Sequence, residues 1–237
     1  MSFGGAFSGK WVGGQATKPA PWWYVAGATC AAAYRAIGAT SAAASKVNLA
    51  NPGTNDLSAV PYGTEPGWSA AFGWYRVGEN AAWNTGVVAT SEWTFLVRFS
   101  SAMPNYANVL GVENNEGGGN HYPMLMFTPT WDYLGSFVRF TNSYARYEVE
   151  PHVVSGVIGM AGDRAFVDGE LVASGHESYT VMDYAPYPIY LFTWNDRNQM
   201  LLHNPAFGGN ILALTFYTTR LTDAQVKAVS TAMAALE

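Results

Sequence analysis

Charge is what this chain has least of. Lys, Arg, Asp and Glu make up 12% of its 237 residues, against about 25% in an ordinary soluble domain. The net charge is −5 and no block of Lys or Arg occurs. The clustered cations that neutralise phosphates are therefore missing, and nucleic acid is not an expected partner. The acidic excess is too small to call for a cationic partner. A single cysteine, Cys30, forbids an intrachain disulfide and any cysteine-built zinc site. Its neighbours Ala28, Thr29 and Ala31 would not lower its thiol pKa, and the role of a small buried apolar residue suits it. Long apolar runs are also missing. No stretch approaches the roughly 20 residues of a membrane helix, and Met1–Phe7 has neither the charged start nor the apolar run of a secretory signal. The expectation is a protein made in a cytoplasm, with no signal peptide, no transmembrane segment and no membrane insertion.

What is present points to β-structure. Hydrophobic residues are 49% of the chain and aromatics 15%, with nine Trp and 14 Tyr, residues that pack well on a pleated, half-buried surface. The length suits one large all-β domain or two small ones, and all-β sandwiches of this length commonly form one. With so little charge, the surface must be largely Asn, Ser, Thr, Gly and Tyr. That fits a neutral, lectin-like surface, a surface covered by neighbours in an assembly, or simply a domain of low charge.

Residues 1–28 stand apart as a Gly-rich arm carrying Trp22, Trp23 and Tyr24. Interface cores favour such aromatics, so these three are candidates for docking on a neighbouring subunit; an edge strand or a tail packed on its own domain explains them equally well. Residues 29–237 form the expected domain. The Ala- and Ser-rich stretch 31–46 has no apolar stripe and reads as strand and loop, and 48–67, with Asn51-Pro52-Gly53, Pro61 and Pro66-Gly67, is turn chemistry. Trp93, Phe95, Val97 and Phe99 alternate, which marks a half-buried strand. Further strands are expected at 108–112, 122–127, 134–140, 144–149, 189–192, 200–202 and 211–217, about ten in all. Asp168-Gly169 between apolar-containing runs predicts a hairpin, because a type I′ turn needs φ > 0 at both central positions. Thr222 followed by Gln225 is a capping box, and Val226, Val229, Met233 and Leu236 then make one apolar helix face. Many short strands with one terminal helix predict a two-sheet antiparallel jelly-roll sandwich.

Two C-terminal motifs resemble the laminin-G-like, concanavalin A-like jelly-roll family: the hairpin Phe166-Val167-Asp168-Gly169-Glu170-Leu171-Val172, and the closing strand and helix start that end in Arg220-Leu221-Thr222-Asp223. Trp93–Phe99 is similar to a third family strand. The resemblance covers roughly residues 68–237. Ala39–Gly53, with Gly73-Trp74 and Asn84-Thr85-Gly86-Val87, resembles phage and prophage structural proteins that carry such jelly rolls. That likeness implies a non-enzymatic virion protein, a capsid decoration or tail component assembled in a host cytoplasm. Its partners would be other virion proteins and copies of itself, with host-surface attachment through a cell-surface glycan as a possible task. It would also explain an extracellular type of fold without an export signal. Because these motifs are a turn, a cap and a strand, they speak to the fold and leave function open.

The alternative function is a carbohydrate-binding module or adhesin. A sugar site needs an aromatic platform and nearby amides or carboxylates in a concave setting, and Trp131-Asp132-Tyr133 and Trp194-Asn195-Asp196 have that composition, although core packing accounts for most aromatics in such a chain. A glycoside hydrolase is the third reading. Retaining enzymes need two carboxylates about 5 Å apart, and no Glu here is followed by Asp two residues later; Glu148-Val149-Glu150 comes nearest. No Gly-x-Ser-x-Gly and no His-Glu-x-x-His occurs, so no catalytic residue is expected. No cofactor is expected either, with Ca²⁺ as the one possibility: it takes six to eight oxygen ligands, and Asn195–Asn198 and Glu113–Glu116 are the polar loops able to supply them.

Overall fold

Strand pairing turns the alternation in the sequence into layers. The computed structural model describes residues 20–90, 92–100, 107–113, 123–130, 133–141, 143–148, 155–174, 186–201 and 209–237. In chain order the elements are β1 (Cys30–Arg35), α1 (Ala42–Ser45), β2 (Ser58–Ala59), β3 (Gly67–Ser69), β4 (Gly73–Tyr75), β5 (Trp83–Val88), β6 (Thr94–Ser100), β7 (Ala107–Glu113), β8 (Pro123–Thr130), β9 (Tyr133–Thr141), β10 (Ser143–Glu148), β11 (Gly156–Ala161), β12 (Arg164–Val167), β13 (Glu170–Ala173), β14 (Pro188–Leu191), β15 (Trp194–Asp196), β16 (Gln199–Leu201), β17 (Asn210–Tyr217) and α2 (Asp223–Ala234). One sheet runs β13-β12-β11-β6-β17-β4-β3, with β1 also on β17; the other runs β10-β9-β8-β7-β14-β5-β2, with the β15–β16 hairpin attached through β7. The pairings are antiparallel except for β15 on β7. The protein is an all-β sandwich with a short C-terminal helix.

Strand β6 shows why. Phe95, Val97 and Phe99 point into the main core with Trp93, and there they meet Trp74, Trp83, Leu110, Ile158, Leu191 and Leu214 from both sheets. Leu96 points the other way, into a second cluster with Val157, Phe166, Ala213 and Tyr217 that is roofed by Leu221, Val226, Val229 and Met233. The expected alternation therefore holds, but β6 is buried on both faces rather than one, because α2 lies across the outside of its sheet. Arg98 occupies the next outward position and donates to the carbonyls of Met233 and Leu236, satisfying acceptors that a helix end leaves open.

The local signals hold where chemistry dictates them. Asp168 and Gly169 have φ of 49° and 80°, the left-handed pair that a type I′ turn requires. Thr222 accepts from the Gln225 amide and the Gln225 side chain accepts from the Thr222 amide. Two expectations are corrected. The structure has 17 strands among the described residues, not about ten, because pieces of two or three residues such as β2, β3 and β4 are too short to carry a period. Within 31–46, Ser41 caps the single helical turn α1 by accepting from Ala44. Ser45 of that turn accepts from the Trp74 indole at 2.9 Å, so a tertiary contact holds what the sequence pattern did not announce.

Candidate functional site: a cleft at the sandwich edge

Two connections cross one edge of the sandwich side by side. Residues 60–66 lead from β2 to β3, and residues 76–82 lead from β4 to β5. They are stitched together where the Thr64 amide donates to Asn80 and the Ala82 amide donates to Thr64, at 2.9 and 3.1 Å. The β15–β16 hairpin lies opposite. Pro61, Tyr62, Asn80, Gln199 and Met200 line an open cleft of about 390 Å³ between them, within the range of small-ligand sites. Its floor is apolar: Met200 packs on Val60, Ala82 and Tyr190. Burial pushes the Tyr190 phenol above its usual range, so it stays neutral.

Tyr62 is the unusual member. The Gly63 amide donates to the Val60 carbonyl at 3.0 Å, closing a four-residue turn with Pro61 at its second position and Tyr62 at its third. Tyr62 has φ of 61°, which a type II turn demands at that position and glycine normally supplies. A left-handed conformation costs a non-glycine residue roughly 1–2 kcal/mol. Burial does not offset that cost, since Tyr62 is 101% exposed. A large ring is thus held out in solvent, in a strained turn, beside two primary amides. Amides offer both donors and acceptors. The arrangement suits a ligand with an apolar face and a rim of hydroxyl groups. Arg76 fixes the approach to Asn80, its Nε donating to Gly78 at 2.9 Å and its Nη2 donating to Glu79.

None of the described residues that line the cleft is among the site candidates singled out in the sequence. Trp194 is half-buried, while Asn195 and Asp196 are buried at 0% and 6% exposure. Asn195 donates to Pro188 at 2.7 Å and so ties the hairpin to β14, Asp196 pairs with its neighbour Arg197 at 3.0 Å, and both side chains are buried. Arg197 and Asn198 form its turn, both with φ > 0. Trp131 and Asp132 lie outside the described residues, and Tyr133 opens β9. Trp22 packs on the outer cluster under α2 and meets Trp23 edge-on at 5.4 Å between ring centres. The Trp23 carbonyl accepts from Tyr217 at 2.7 Å, and Tyr24 is 62% exposed. Of the arm, residues 1–19 lie outside the described residues. Of the two polar loops considered for Ca²⁺, 114–116 lie outside them as well. Among the described residues no group of three or more His, Cys, Asp or Glu comes together. No helix among them is long and apolar enough to cross a membrane.

The cleft was missed because Tyr62 and Asn80 meet only across two connections. The one signal in the sequence was Pro61-Tyr62-Gly63, where an aromatic takes the place in a turn that glycine usually fills.

No family model matches the chain, and no curated protein matches it. Solved structures do. Domain 4 of AbnA, a GH43 extracellular arabinanase from Geobacillus stearothermophilus, solved in complex with arabinotriose, is similar with a TM-score of 0.57 and 14% identity, over 86% of this chain and 98% of that one. A Trypanosoma rangeli sialidase in complex with sialic acid gives 0.54 and 14%, over 85% of this chain but 32% of that one. A mutant of that sialidase displaying trans-sialidase activity gives 0.52 and 14%, over 88% and 34%. The chain thus spans nearly all of the arabinanase domain and about a third of the sialidases. At these identities the likeness is one of fold, and the fold is that of a jelly-roll-like β-sandwich.

Proposed function

We propose that this protein is a non-catalytic carbohydrate-binding module and that the cleft at Tyr62 is its sugar site. The observation that carries this reading is Tyr62 itself: a fully exposed ring in a left-handed turn position, beside Asn80 and Gln199. The ring would stack on the apolar face of a sugar while the two amides reach its hydroxyls. Support comes from the similarity over nearly its whole length to a domain solved with arabinotriose. That comparison favours the carbohydrate-binding reading over the virion one drawn from Ala39–Gly53, and it lends nothing to virion partners or to a homo-oligomer. Cell-surface or cell-wall glycan is the partner that fits.

The test is titration calorimetry with neutral oligosaccharides, arabinotriose first and then trimers derived from xylan and β-glucan. Binding by the wild type, weakened by at least about tenfold (1.4 kcal/mol) in Tyr62→Ala, is the expected result. Equal affinity in the two proteins would remove Tyr62 from the site, and hydrolysis of the sugar during the titration would overturn the non-catalytic reading.

A further inference from the structure

The exposed large apolar side chains are unevenly placed. Of the eight among the described residues, Tyr62, Phe72, Tyr75 and Val77 lie between residues 62 and 77. Tyr62 belongs to the cleft. Tyr75 and Val77 share a second seat farther along the same ridge. Gly67 pairs with Tyr75 in the β3–β4 ladder, and the Thr64–Ala81 bridge keeps the two connections together from there to the cleft. From Gly67 to Tyr62 is five residues, at most about 17 Å of extended chain.

The seat is made by a missing side chain. A Cβ on Gly67 would come within 2.3 and 2.5 Å of the Tyr75 ring and 2.7 Å of Val77. The glycine therefore lets the ring lie directly on backbone, on the edge strand β3, while 37% of Tyr75 and 58% of Val77 stay in solvent. An exposed ring resting on backbone loses little freedom when a ligand covers it, which lowers the ordering cost of binding. The charge along the ridge balances: the side chains lining the cleft carry none, Glu65 is paired with Lys46 at 2.9 Å, and the Arg76 guanidinium, held on the carbonyls of Gly78 and Glu79, is offset by the exposed Glu79.

Resting on the sugar-binding reading above, we propose that Tyr75 and Val77, seated on Gly67, form a second subsite for the same ligand. The ligand is then a linear, uncharged oligosaccharide that runs from the cleft along the ridge, rather than a single terminal sugar or a sialylated one. Two linked contacts raise affinity by making the second one intramolecular.

The experiment is calorimetry with trimers and hexamers derived from arabinan, xylan and β-glucan, and with 3′-sialyllactose, on the wild type and on Tyr62→Ala, Tyr75→Ala and Val77→Ser. In the wild type the bound series should show a hexamer about tenfold tighter than its trimer. In Tyr75→Ala and Val77→Ser that advantage should shrink toward none while the trimer stays within about twofold of wild type; Tyr62→Ala should weaken both. Retention of the full hexamer advantage in both ridge variants, or a wild type that binds trimer and hexamer alike, would overturn the second subsite while leaving the cleft intact. Tighter binding of 3′-sialyllactose than of any neutral trimer would overturn the uncharged ligand. Binding of no sugar at all would sink the carbohydrate-binding reading, and this one with it.

Discussion

Tyr62 makes the separation of stability from function measurable at a single residue. Its ring has no packing to lose, and its backbone would be better served by glycine. Tyr62→Gly should therefore leave the urea midpoint unchanged or slightly raised while sugar binding is lost; a clear fall in the midpoint would mean that the ring supports the fold. Asn48 is the opposite case. It is fully buried, its Oδ1 accepts from Ala33 and Ala50 at 3.0 Å each, and its Nδ2 donates to Ala31 and Thr54. Asn48→Ala would leave several buried backbone groups without partners, each costing about 1–3 kcal/mol. Denaturant unfolding should show a loss of about 3 kcal/mol or more. Cys30 supplies a pH dependence. Burial pushes its thiol from 9.0 up to about 12, so the folded state keeps a proton that the unfolded chain releases. Stability from this group is full below about pH 9 and falls as pH rises toward 12. Buried Tyr217 and Tyr34, whose phenols are also pushed up by burial, add to the fall from about pH 10. Cys30→Ala should flatten the first part of that decline, between about pH 9 and 10, in a series of urea midpoints; an identical slope in the variant would place the thiol in solvent.

At the scale of elements, α2 is held at both ends by groups the sequence partly announced. The capping box fixes its start. Asp223 in its first turn pairs with Arg164, which also donates to Leu221 at 2.5 Å. Arg220, just before the helix, pairs with Asp163. The cap works through backbone and should matter more than the partly exposed ion pairs, whose typical worth is under 1 kcal/mol. Thr222→Ala is expected to cost about 1 kcal/mol, measured by thermal or denaturant unfolding. The capping box was legible because its two residues are three positions apart. The clamp by Arg98 at the far end was not, since Arg98 and Met233 are brought together only by the folding of β6 under the helix.

The whole molecule has three layers over much of its width: α2 and the segment 20–28, then the β6-containing sheet, then the second sheet. Trp22, Val25, Ala28 and Cys30 pack against the outer cluster. Removal of residues 1–28 would uncover Tyr217 and the side of α2. A shortened chain beginning at Thr29 should melt several degrees lower, and this holds whatever the arm does toward other molecules. An unchanged melting temperature would mean that the segment contributes no packing.

The sequence by itself determined the fold class, the type I′ turn at Asp168-Gly169, the capped helix and the inward set Trp93, Phe95, Val97 and Phe99. Each of these is a local rule, a period or a pair of residues within a few positions. Tertiary structure alone decided that Leu96 is also buried, that Asn195 and Asp196 turn inward, and that Tyr62, Asn80 and Gln199 share a cleft. Those outcomes depend on which strands neighbour one another, and on side chains 18 to more than 100 positions apart meeting across an edge; no periodicity in a chain encodes such a meeting. The physical reason is the same for the whole site. Backbone chemistry fixes the elements one at a time, whereas a binding surface is assembled from the connections between them, whose course only the packed sandwich settles.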